Sequence, residues 1–65
     1  MPSGYYKPGS DILKKLGFRY IQNAKGSHEK WQSETSGKIL LVPRNLKSRH
    51  TANAILKTAG YTDKI

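Results

Sequence analysis

Cysteine is absent from this 65-residue chain, so neither disulfides nor thiolate-bound zinc can staple it, and the redox state of its compartment leaves no trace in the sequence. Acidic residues are nearly as scarce. Four Asp and Glu are too few and too scattered for a two-metal nuclease, and set against twelve Lys and Arg they leave a net charge of +8. Long apolar runs are missing as well, and no segment has the character of a signal peptide, a membrane span or a basic amphipathic anchor. An excess of positive charge without such a segment favours nucleic acid as the anionic partner over a membrane surface, and the cytoplasm as the expected location. An acidic protein partner would satisfy the same charge.

What is present suffices for one small domain, residues 1–65, with a core near the lower limit for independent folding. Trp31, Phe18, Tyr20, Ile12, Leu13, Leu16, Leu40, Val42, Ile55 and Leu56 can fill one layer of helices on one sheet. Tyr5 and Tyr6 are expected to pack on the domain edge rather than stack on a base. Pro8, Gly9 and Ser10 form a helix entry, with Ser10 as cap and Asp11 in the first turn. The apolar stripe Ile12, Leu13 and Leu16 lies opposite Lys14 and Lys15, and Gly17 stops the helix. A helix running from Tyr5 through the Pro8-Gly9 pair would be bent there.

Residues 18–24 predict a first strand with imperfect alternation, residues 28–33 a second, and residues 38–42 a third that Pro43 ends. A four-residue loop at Glu34 to Gly37 sets Ser33 opposite Lys38, and hence Trp31 opposite Leu40 and Glu29 opposite Val42. Trp31, Leu40 and Val42 then face the core, while His28, Lys30, Gln32, Ile39 and Leu41 share the other side. Ile39 and Leu41 put more apolar surface there than a solvated sheet needs, which points to cover by another chain. Arg44 to His50 is a basic connection. Ser48 or Thr51 caps a closing helix with Ala52, Ile55, Leu56 and Ala59 as its buried stripe, and Gly60 ends it. The fold class is α+β in the order α-β-β-β-α, a three-stranded antiparallel sheet with two helices on one face, as in double-stranded RNA-binding domains.

The stretch that carries chemistry is Lys25-Gly26-Ser27-His28-Glu29-Lys30-Trp31. Gly26 permits a turn that other residues resist and leaves room for a phosphate near the main chain, and Ser27 adds a hydroxyl donor. Imidazole both takes and gives a proton near neutral pH, and Lys25 and Lys30 would draw a phosphodiester toward it. From spacing alone the same stretch also reads as a basic hairpin turn with an exposed histidine. Arg44, Lys47 and Arg49 are further candidate RNA contacts, although charge this plentiful usually includes a solvated share. His50 could supply a second acid or base, or simply stand exposed beside a helix start.

The ordered set of Leu16-Gly17-Phe18, Gly26-Ser27-His28 with Trp31, Val42-Pro43 and Thr51-x-x-x-Ile55-Leu56-Lys57-x-Ala59-Gly60 resembles the HicA (YcfA-like) toxins over nearly the whole chain. That resemblance implies an mRNA interferase, an endoribonuclease with His28 as its catalytic residue. It also implies a HicB-like antitoxin as partner, and neither a metal nor another cofactor is expected. Two features depart from the family pattern: Glu29 stands where many relatives carry a second histidine, and Pro8-Gly9 where relatives continue their first helix. A non-catalytic module holding double-stranded or structured RNA is the alternative, and a regulatory protein whose basic surface meets an acidic partner is a third reading.

Overall fold

The computed structural model describes residues 4–65, in the order α1 (Tyr6–Lys15), β1 (Phe18–Asn23), β2 (His28–Ser33), β3 (Ile39–Pro43) and α2 (Arg49–Thr58). The strands form one antiparallel sheet in the order β1-β2-β3. Its register is the one the Glu34–Gly37 loop predicts: Trp31 opposes Leu40, Glu29 opposes Val42, and the Ser33 N–H donates to the Lys38 carbonyl at 2.9 Å. The third strand runs one residue later than expected, through Pro43, because the ladder continues to the His28–Pro43 pair. The imperfect alternation of β1 has a cause. Ile21 is an extra residue between the Tyr20–Trp31 and Gln22–Lys30 pairs, a bulge that shifts the pattern by one.

Both helices pack on one face. Leu13 of α1 and Leu56 of α2 meet Phe18, Trp31, Leu40 and Val42, with Ile12, Leu16, Ile55 and Ala59 packed around them. Trp31 is central to this layer, and Tyr20 meets it edge to face, with ring centroids 6.3 Å apart. Leu46 is also buried, although it lies in the stretch that reads as a basic connection. Its carbonyl accepts the Tyr5 N–H at 2.6 Å, so this loop is pinned to the start of α1. A side chain at Gly4 would come within 2.8 Å of that same carbonyl.

The first helix corrects the sequence reading. It begins at Tyr6, four residues before Ser10, and Pro8 falls in its first turn, where its missing N–H has no intrahelical acceptor to lose. The Gly9 N–H then makes the first full-turn bond, to the Tyr5 carbonyl at 2.9 Å. Ser10 is therefore inside the helix and donates to the Lys7 carbonyl, and Asp11 pairs with Lys7 across one turn. At the other helix the expected cap holds, with Ser48 Oγ accepting from the Thr51 N–H at 3.2 Å. Lys38 Nζ reaches the Thr58 carbonyl near its C-terminus, and Asn53 ties down Ile65. Among the described residues, no helix is long and apolar enough to cross a membrane.

One acidic side chain is buried in this layer. Glu29 Oε1 accepts the Tyr6 hydroxyl at 2.6 Å and the Trp31 indole N–H at 3.0 Å. Both tyrosines near the N-terminus are part-buried, as expected, and Tyr6 is the one tied into the core. Burial, aided by the bond to Glu29 and its charge, pushes the Tyr6 hydroxyl from 10.0 up to about 12. An unfolded tyrosine ionises near pH 10, so the stabilisation from this proton is whole below that pH and is lost as pH rises through about 12. The thermal midpoint should accordingly fall between about pH 10 and 12, and fall less in Tyr6→Phe. At neutral pH that variant should be less stable by about 1.5–3 kcal/mol, the worth of a hydrogen bond to a charged group. Parallel melting curves for the two proteins across the alkaline range would show that the hydroxyl is not held.

Candidate functional site

Ala24, Lys25, Gly26 and Ser27 form the link between β1 and β2. The Ala24 N–H donates to the His28 carbonyl at 2.8 Å, closing the turn. Gly26 takes φ = +68°, a left-handed conformation that strains any residue with a Cβ. No atom lies within 4 Å of where that Cβ would be, so the main chain here is open to approach. The turn thus delivers His28 as the first residue of β2.

Alternation along β2 then decides what each side chain meets. Glu29, Trp31 and Ser33 are buried under the helices, whereas His28 is exposed and Lys30 and Gln32 are half-covered on the open face. Across the ladder, Ile39 and Leu41 share that open face at 51% and 54% exposure, as the register predicts. His28 therefore stands at one end of an open, partly apolar sheet face, with Lys30 two residues along and Lys25 on the turn beside it.

Arg44 joins this end of the sheet from the other strand. Its backbone N–H donates to the Ser27 carbonyl at 2.8 Å, one step beyond the His28–Pro43 pair. Its side chain turns to the helix-covered side, where Nε lies 3.6 Å from Glu29 Oε2. So the structure gathers Lys25, Gly26, Ser27, His28, Lys30 and Arg44 around the end of β2, but on two sides of the sheet. Lys47 is exposed on the loop that follows, and Arg49 is exposed as the first residue of α2; neither is joined to the turn by a hydrogen bond or ion pair among the described residues. His50, in the first turn of α2, lines a groove between that helix and the C-terminal segment together with Asn53, Tyr61 and Asp63. Among the described residues no three His, Asp or Glu side chains come together as a metal site.

Two residues of this region escape the sequence reading, Glu29 and Tyr6. Acidic residues in a basic chain are expected at the surface, yet the pairing of Glu29 with Val42 already placed it on the core face. Nothing in the sequence links Tyr6 to it, since the contact spans 23 residues and depends on α1 starting early.

A comparison with protein-family models matches residues 11–61 to the family described as the HicA toxin of bacterial toxin-antitoxin systems. No match was found among curated proteins or among solved structures. The matched span runs from within α1 to just past α2 and includes the whole sheet, the Gly26 turn and His28. On that match, this chain belongs to the HicA toxin family, whose members act opposite a cognate antitoxin.

Proposed function

We propose that this toxin is an endoribonuclease of the mRNA interferase type, working in the cytoplasm with His28 as its catalytic residue. The observation that carries the reading is the placement of His28, exposed at the mouth of a left-handed glycine turn with open main chain and lysines on either side. The nucleophile and its attack geometry can come from the substrate. His28 takes the proton of a ribose 2′-hydroxyl, the freed oxygen attacks the adjacent phosphorus, and the bond to the 5′-oxygen of the next nucleotide breaks, leaving a cyclic phosphate. Attack and departure lie on opposite sides of the phosphorus, so one imidazole serves the attack, and the departing oxygen takes its proton from water. Lys25, Lys30 and the Gly26 and Ser27 amides are placed to hold the phosphate while charge builds on it. No step uses a metal or another cofactor.

His28→Ala tests this directly. The side chain is exposed, so its loss leaves no cavity and the fold should survive. Cleavage should drop by roughly 10² to 10⁴ while RNA binding changes little, and expression of the variant without antitoxin should no longer arrest growth. A folded His28→Ala protein that cuts at the normal rate would remove this residue from the mechanism; unchanged RNA in a duplex-shift assay with wild type would favour the binding-only module.

Binding should also depend steeply on salt, because a chain of charge +8 gains affinity by releasing counterions from phosphates. The expected loss is on the order of 10²-fold between low and moderately high salt, with charge reversal at Lys25 or Lys30 hurting more than at Lys64. A flat titration, or equal losses at all three lysines, argues for diffuse charge instead of a groove.

For the antitoxin we propose a HicB-like protein docked on the open face over Ile39 and Leu41, where it would also cover His28. About half of each branched side chain is exposed there, on β3, which is an edge strand of the sheet among the described residues. Replacing both with Lys should release the antitoxin and leave thermal stability within about 0.5 kcal/mol per site. Co-purification at unchanged affinity would place the antitoxin elsewhere.

A further inference from the structure

Glu29 divides its two oxygens. Oε1 accepts both the Tyr6 hydroxyl and the Trp31 indole N–H, and among the described residues the ion-pair partner of Oε2 is Arg44, through Nε. The amide oxygen of a glutamine could accept the same two donors, without the charge assistance a carboxylate gives. Burying a carboxylate is costly unless a charge repays it, and the carboxylate, unlike an amide, attracts Arg44. The two ends of this pair differ sharply, with the Glu29 side chain 9% exposed and that of Arg44 62% exposed. One edge of the guanidinium thus lies 3.6 Å from a buried oxygen, an ion pair longer than a hydrogen bond, and the rest of the group is open to solvent at the end of the sheet.

We infer that Glu29, seated by Tyr6 and Trp31, is a positioning residue that aims Arg44 at the RNA phosphate next to the one on which His28 acts. The inference rests on the ribonuclease reading and extends it to residues that reading does not use. Arg44 follows Pro43, the partner of His28, and so lies one step away across the ladder but on the opposite side of the sheet. Groups so arranged do not close on one phosphate. They suit successive phosphates of a strand that passes over the Ser27 turn from the open face to the helix side. A guanidinium fits the task, because its Nε edge can stay on the carboxylate while its two terminal nitrogens meet phosphate oxygens as a fork. A grip that is equally strong in the ground and transition states sets KM and leaves kcat alone, and the inference assigns Arg44 a grip of that kind.

The test measures kcat and KM on a short single-stranded RNA for the full chain and for Glu29→Gln, Arg44→Ala and the double variant. It also follows the Arg44 side-chain Nε–H signal by NMR without RNA. Glu29→Gln should raise KM roughly ten-fold with kcat nearly unchanged, and the double variant should be no worse than Arg44→Ala alone. The Nε–H signal should be distinct in wild type and should move to the averaged position of a free arginine in Glu29→Gln. Tyr6→Phe keeps the charge but loosens its seat, so it should raise KM less and in the same direction; it decides the matter if Glu29→Gln does not fold. An unchanged KM in the folded variants, or losses that multiply in the double variant, overturns the assignment. If wild type cuts RNA and His28→Ala does not, that failure belongs to this inference alone. If wild type neither binds nor cuts RNA, the ribonuclease reading falls and the inference falls with it.

Discussion

Because successive side chains of a strand point to opposite faces, the pairing of Trp31 with Leu40 fixes the surroundings of every residue on β2. A slip of one residue would drive His28 and Lys30 under the helices and expel Trp31 and Glu29. The slip is opposed from several directions at once. The Glu34–Gly37 loop has one length, Trp31 fills the centre of the helix-covered face, and Glu29 has its donors on that side. The exposed histidine is thus held in place by what its neighbours bury.

Glu29 shows how a small core manages a charge. With four acidic residues in the whole chain, one is buried on the helix-covered face, where an unpartnered carboxylate would be costly. Its partners come from three elements: hydrogen bonds from Tyr6 of α1 and Trp31 of β2, and a longer ion pair with Arg44 just past β3. The carboxylate therefore ties the early start of α1 to the end of the sheet that carries the Gly26 turn. Leu46 supports the same junction from the loop side, by its burial and by its carbonyl bond to Tyr5.

The sheet was legible in the sequence because local signals agreed with one another. Turn residues bounded each strand, the loop length set the register, and the register sorted Ile39 and Leu41 from Leu40 and Val42. The closing helix was legible through Ser48 and the spacing of Ala52 and Leu56. The first helix was misjudged at its start because Pro8 and Gly9 usually break helices, and nothing local announces that Tyr5 and Leu46 will support an earlier turn. The histidine was found from the turn that precedes it. Its buried neighbour was not, since the bond from Tyr6 and the ion pair with Arg44 join segments far apart in the chain, and only the finished packing brings them together.

Trp31 is the only tryptophan of the chain, and its indole N–H is bonded to the same carboxylate that faces Arg44. Indole emission shifts with the charge and polarity around the ring. The protein therefore carries an unlabelled optical gauge hydrogen-bonded to that carboxylate, and any change in the pairing of Glu29 with Arg44 can be followed as a change in its colour or brightness.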